Sequence, residues 1–324
     1  MKRVHDAAWT IIGLGAVAVS SWLLFKDLRG LSFASLKSAL FSISLARWLL
    51  AIGSTSLAYA ALAWYDQIAL LHLGRRLSWR YVAVASFTAY ALAHNIGASV
   101  FSGAVVRYRA YSEKGLSLGE IGGLVAFCSF TFALGAAIVG GVCLLFHPEL
   151  AERFAGAPLW LGQAVAAALV AGPSLYIVGA LVHFPPLKIG AHELVYPRPS
   201  IAARQLLAGP LELIGASGII YFALPPAANP GFVIVLGVFV AAFSIALISH
   251  APGGLGVLEF TFLHAMRDVP QANVVAALLV FRLLYLILPL IFALIVVLEY
   301  ERKRWRTSVA VRGVDPDGLG NHYQ

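Results

Sequence analysis

Long apolar runs separated by short polar ones organise this chain from one end to the other. Windows of about 20 apolar residues, the length that crosses a bilayer as a helix, fall at 8–25, 46–71, 80–101, 120–146, 158–184, 202–224, 231–249 and 272–299. The pattern predicts an all-α polytopic membrane protein of about eight transmembrane helices, built as a single integral membrane domain over 1–300. Segment 28–45, LRGLSFASLKSALFSISL, is too polar to span, yet its apolar residues recur at helical spacing, which predicts a helix lying along the interface. The start, MKRVHDAAWTIIGLGAVAVSSWLLF, has the basic beginning and apolar run of a secretory signal but no cleavage signal, and reads as an uncleaved first helix. Residues 301–324 are expected to form a cytoplasmic tail, basic in ERKRWR and disordered in VRGVDPDGLGNHYQ.

Two stretches interrupt the helix pattern. One is HNIGASVFSGAVVRYRAYSEKGLSLGE, His94 to Glu120; the other runs from HAPGGLGVLEF, His250 to Phe260, on to Gln271. Each opens with a histidine at a helix end and carries several glycines. Each closes on a helix-start signal: Ser117 with Glu120, and Asp268 with Gln271 behind Pro270, both at capping-box spacing. Irregular backbone at membrane depth survives only where protein or a wet cavity satisfies its polar groups. Both stretches therefore read as re-entrant or broken-helix segments of the kind transporters use at their binding sites. The backbone positions that carry this reading are His94, Asn95, Gly97 and Gly103 in the first, and His250, Pro252, Gly253, Gly254 and Gly256 in the second. Proline removes a donor there, and glycine permits tight turns and close approach.

Composition narrows the class. Of 324 residues, 60% are hydrophobic and 12% charged, far from a soluble domain. The net charge of +8 sits in short loops and at the tails rather than on one face, which favours anionic headgroups and argues against nucleic acid. Cys128 and Cys143 fall in one apolar segment and behave as small hydrophobes. Lys2, Arg3 and the tail place both termini in the cytoplasm by the positive-inside rule; Arg75, Arg76 and Arg80 agree, whereas Lys26, Arg29, Lys37 and Arg47 fall on the outer side.

A charge near the bilayer centre costs about 2.5–3.5 kcal/mol on insertion scales, so each one asks for a partner or a purpose. The candidates are Asp66, Glu212, Glu259 and Arg282, with Arg107 and Arg109 beside the first break. Each has a plainer alternative. Asp66 is also close enough in sequence to His72 and Arg75 for an interfacial position, and Arg282 with Glu259 forms a candidate structural ion pair. Arg107 and Arg109 suit either snorkelling to headgroups or phosphate binding. Glu120 reads as a helix cap with Ser117 rather than a ligand. His94 and His250 suit satisfied helix ends and leave proton coupling open. AHELVY carries Tyr196 where a zinc-protease motif needs its second histidine, IGLGAV lacks the third glycine of a dinucleotide loop, and no phosphate-binding loop occurs. No metal, cofactor or catalytic constellation is expected.

The ordered set YDQIAL (Tyr65 to Leu70), HNIGASVFSGAVVRYRAYSEKGLS (His94 to Ser117), Glu212 with YFALPP (Tyr221 to Pro226), and HAPGGLGVLE (His250 to Glu259) resembles the lipid-translocating membrane domain of bacterial lysylphosphatidylglycerol synthases, the multiple peptide resistance factors. The likeness runs from about Trp48 to Leu298. In that family a cytoplasmic domain aminoacylates phosphatidylglycerol and the membrane domain moves the product outward. The resemblance implies a stand-alone form without the synthase domain, in a bacterial inner membrane, translocating a zwitterionic or cationic phospholipid such as aminoacyl-phosphatidylglycerol. It implies a substrate path of Asp66, Arg107, Arg109, Glu212 and Glu259; the sixth-span acid departs from the family's Asp-Trp pattern. Expected partners are anionic, zwitterionic or aminoacylated phospholipid, a separate lipid-modifying enzyme, and further copies of the chain. The alternatives are a transporter of an isoprenoid or glycolipid carrier, and a lipid-binding subunit that moves nothing.

Overall fold

A computed structural model describes residues 32–96, 99–182, 184, 187–189, 192–194, 196–249 and 252–312. The expected first span at 8–25, Gly97, His250 and the end of the tail lie outside the described residues. Apart from one hairpin of three-residue strands, the described chain is helical. Among the described residues six helices are long and apolar enough to cross a membrane. The all-α polytopic membrane class holds.

The chain enters through α1 (Phe33–Phe41), whose Ser32 cap accepts the Ser35 N–H at 3.1 Å. None of its residues is buried, as expected for a helix lying on the surface of the bundle. The first long helix, α2 (Leu45–His72), runs from what we define as the lower face to the upper. From there α3 (Trp79–Ile96) descends and α4 (Ser99–Ser112) climbs back to the same face. Their antiparallel contact is fixed at the open end by the Tyr81 hydroxyl donating to the Ala110 carbonyl at 2.5 Å. Nearer the tip, a Cβ on Gly103 would sit 3.4 Å from the Ala93 Cβ. The window 80–101 is therefore not one crossing. The Asn95 amide donates to the Ala91 carbonyl one turn back and to the Leu286 carbonyl across the bundle.

After this hairpin α5 (Leu118–Phe146) descends, short α6 (Glu149–Ala155) lies at the lower end, and α7 (Leu159–Leu181) rises. Strands β1 (Leu187–Ile189) and β2 (His192–Leu194) pair antiparallel with Leu187 opposite Leu194. The next long helix, α8 (Pro199–Ala223), descends against α2. At Gly215 an added Cβ would lie 2.6 Å from the Ala58 backbone nitrogen, so only glycine lets these two helices touch backbone to backbone.

A second hairpin follows from the opposite face. Helix α9 (Phe232–Ile248) rises, a 3₁₀ turn at Pro252–Gly254 reverses the chain, and α10 (Val257–Ala265) returns downward. Arg153 of α6 pins the lower end by donating to the Ala265 carbonyl and pairing with Asp268 at 2.8 Å. That pairing overturns the expected capping box of Asp268 with Gln271. Pro270 holds the cap position without a side-chain bond, and Asp268 faces Arg153 instead. The last ascent is α11 (Gln271–Phe281), a π turn (Arg282–Ile287) and α12 (Leu288–Arg312), with the Tyr300 hydroxyl bonded to Glu113 on the upper face.

Helix, hairpin, helix thus occurs twice: α2, α3/α4 and α5, then α8, α9/α10 and α11–α12, the second set inverted. Inverted repeats of this kind place the working site at the repeat interface near mid-depth. Large apolar side chains such as Leu49, Phe146, Leu175, Leu207 and Phe292 face outward, the surface a lipid-embedded bundle requires.

Candidate functional site

The two hairpins meet where the end of α3 faces the Pro252–Gly254 turn. At the second tip Gly253, Gly254 and Gly256 have φ of +59°, +64° and +76°, a region that disfavours any residue with a Cβ. The turn brings Gly253 beside the His94 carbonyl at the end of α3. Glu259 holds the turn: its Oε2 accepts the Gly256 N–H at 2.9 Å, capping α10, and its Oε1 accepts from Arg282 Nε at 2.6 Å. Arg282 also donates through Nη1 to the Gly253 carbonyl at 3.1 Å. Its Nη2 lies 2.5 Å from the same Glu259 Oε1, so two guanidinium nitrogens face that one carboxylate oxygen. The expected ion-pair candidate is thus a clamp across the proline-glycine turn, with side chains 12–14% exposed.

Asp66 and Arg107 form a second pair, deeper in protein and on the upper side of the junction. Arg107 donates Nη2 to Oδ1 at 2.8 Å and Nε to Oδ2 at 3.0 Å, the planar fork that matches a carboxylate. Tyr111 adds its hydroxyl at 2.7 Å and Cys128 its thiol at 3.4 Å, and the guanidinium lies 4.4 Å from the Tyr90 ring centroid. Asp66 is 0% exposed and Arg107 4%. Asp66 therefore points into the bundle, where Arg107 and Tyr111 hold both of its oxygens.

Glu212 occupies the middle of α8, 1% exposed, where α2 and the π turn cover it. Its Oε1 accepts the Tyr285 hydroxyl at 2.7 Å; Oε2 has no partner among the described residues. The Tyr285 carbonyl accepts from the Tyr59 hydroxyl at 2.9 Å, and the Tyr285 ring stacks on His94 with centroids 5.2 Å apart. His94 continues to Tyr90 at 5.7 Å, which connects this strip to Arg107.

The structure therefore joins most of the expected residues through contacts instead of arranging them around one open cavity. Asn95 ties the first tip to the π turn, and Gly103 gives Arg107 room, since a Cβ there would lie 3.0 Å from Nη1. Arg109 is exposed on the other side of α4. Ser117 and Glu120 form a reciprocal cap at the start of α5, and Glu120 also pairs with Arg75 at 2.8 Å. Sequence reasoning missed Tyr59, Tyr90, Tyr111 and Tyr285. Buried tyrosines at helical spacing look like ordinary core, and only their cross-bundle partners set them apart.

Beside the second hairpin a cavity of about 840 Å³ opens between α5, α6, α7 and α9. Its wall includes Ala136, Phe154, Val165, Leu169 and Val240, and it reaches Leu247 and Ile248 just before the tip. None of the expected charged path residues lines it.

Residues 11–293 match the family model described as the lysylphosphatidylglycerol synthase TM region. The chain belongs to this family. Among its relatives are the uncharacterized protein slr0712 of Synechocystis, 27% identical over 89% of this chain and 90% of that protein, and the inner membrane protein YbhN of Escherichia coli, 29% identical over 80% and 82%. The phosphatidylglycerol lysyltransferase of Staphylococcus aureus is 23% identical over 84% of this chain, which spans only 31% of that enzyme. The family's shared element here is its multi-pass membrane region, and the inverted pair of hairpins is the form that region takes in this chain.

Proposed function

We propose that the protein is a phospholipid translocase that passes a headgroup between leaflets at the junction of its two hairpins. The observation that carries this reading is the meeting of two hairpin tips, one from each face, beside an apolar groove that ends at the second tip. The groove offers an acyl chain a hydrocarbon-like wall, and the adjoining turn offers a headgroup the polar groups that replace its water. Once their pair opens, Arg282 supplies a guanidinium for phosphate oxygens and Glu259 a carboxylate for an ammonium group. That pairing is complementary to a zwitterionic or cationic phospholipid, aminoacyl-phosphatidylglycerol included. The relatives add support: one is a lysyltransferase of phosphatidylglycerol, and this chain matches about a third of its length. Asp66 and Arg107 saturate each other and serve as the strut behind the first hairpin.

The test is a leaflet-exposure assay with purified protein in liposomes, offering labelled phosphatidylglycerol, phosphatidylethanolamine and lysyl-phosphatidylglycerol side by side. Transfer of at least one of them is expected, with Glu259→Gln slowing it about tenfold, equal to roughly 1.4 kcal/mol of barrier. Tight binding without exchange of any lipid overturns the reading in favour of a static lipid-holding subunit.

A further inference from the structure

Three acidic side chains stand at membrane depth, and the fold treats one of them differently. Asp66 has Arg107 at 2.8 Å and Glu259 has Arg282 at 2.5 Å. Glu212 is as deeply buried as Asp66, yet among the described residues no cation pairs with it. The titratable groups that interact with it are phenols: Tyr59 and Tyr65 from α2 and Tyr285 from the π turn. The other helices packed on α8 bring no charge to it: α5 meets it through Gly135 and the Thr131 hydroxyl, and neither α9 nor α11 carries an acidic or basic residue. One carboxyl oxygen is satisfied by the Tyr285 hydroxyl; the other has nothing. A bare carboxylate buried this way is far costlier than a neutral acid, and the usual resolution is to bind a proton.

The place of Glu212 gives that proton a role. Tyr285 joins Glu212 to His94, the last ring before the first tip, whose Nδ1 is also buried without a partner. The groups facing His94 are Tyr90 on its own helix, Arg107 from α4 and Tyr285. The second tip rests against the His94 carbonyl through Gly253. Opening that contact to admit a headgroup would let water reach the strip, and only then would a charged Glu212 be hydrated. We propose that Glu212 is a proton-binding site, occupied while Gly253 rests against the His94 carbonyl and emptied when that contact opens, so that lipid movement is coupled to proton movement. In the coupled step the O–H bond of the Glu212 carboxyl breaks, its electron pair stays on oxygen, and the proton leaves to water that enters the junction. This rests on the translocation reading for its second half, and the experiment separates the two.

Purified protein in liposomes serves both arms. Infrared spectra are expected to show a protonated-carboxyl stretch at neutral pH that disappears in Glu212→Gln, a variant that keeps the Tyr285 hydrogen bond and is expected to unfold at the same temperature as the wild type. An imposed gradient of one pH unit is expected to shift the leaflet distribution of a transported lipid up to about tenfold, since one unit is worth 1.36 kcal/mol per proton. Glu212→Gln should make the distribution indifferent to the gradient. Glu212 ionised at neutral pH, or a gradient response that survives in Glu212→Gln, overturns the proposal. If no lipid moves even in the wild type, the coupling falls with the translocation reading, and the infrared band alone decides whether Glu212 holds a proton.

Discussion

Asp66–Arg107 and Glu259–Arg282 are the same chemical pair used in opposite ways. The first is sealed: every oxygen of Asp66 is taken, by Arg107 and Tyr111, and both side chains are essentially inaccessible. The second is partly exposed, the guanidinium also holds the Gly253 carbonyl, and the carboxylate also caps α10. Removing one partner from a sealed pair strands a charge in a place with no water to receive it. Opening the second pair leaves each partner with a backbone contact and a route to a headgroup. The difference teaches that ionic character alone does not separate a structural pair from one that can exchange partners; burial and the other contacts of each member do.

That contrast can be broken by measurement. The largest effect is expected from Arg107→Ala, which leaves Asp66 buried without its cation and should lower stability by about 3–5 kcal/mol in reversible unfolding from mixed micelles. Replacing both members, as Asp66→Leu with Arg107→Met, is expected to recover most of that loss. Next comes Gly215→Val at the α2–α8 contact, where the new side chain meets the Ala58 backbone; overpacking of this kind costs about 1–3 kcal/mol. Glu259→Gln should cost less, about 1 kcal/mol, because the amide oxygen can still accept the Gly256 N–H, while its effect on lipid transfer is the largest of the set. The contrast fails if Glu259→Gln proves as destabilising as Arg107→Ala. The smallest effect belongs to Arg75→Ala, which breaks an exposed pair with Glu120 and should leave the unfolding midpoint unchanged within error.

Much of this architecture was legible from periodicity because a bilayer forces it. Spans such as 46–71 and 120–146 were placed to within a residue or two of α2 and α5, since length and apolar character fix a crossing. The two interruptions were legible too, because glycine and proline at membrane depth have few other uses. The partners were not. Asp66 and Arg107 are 41 residues apart, Glu212 and Tyr285 73, and no local pattern tells an arginine that will meet a carboxylate from one that will snorkel. The same limit explains Asp268, whose spacing to Gln271 matched a cap while Arg153, far off in sequence, claimed its carboxylate. It also explains Glu259, expected as a path residue on the helix after the break, which holds the break itself in shape.

The π turn at Arg282–Ile287 ties these threads together. Its backbone hands two carbonyls sideways: Tyr285 to the hydroxyl of Tyr59, and Leu286 to the amide of Asn95. A wide turn of this sort holds one residue of slack, and tightening it to ordinary α geometry swings everything downstream by about 100°, the angle one residue spans in a 3.6-residue turn. Such a twist would pull both acceptors out of register at once, unlatching α2 and the first tip together. Deleting one residue from the turn is therefore expected to cost both hydrogen bonds together.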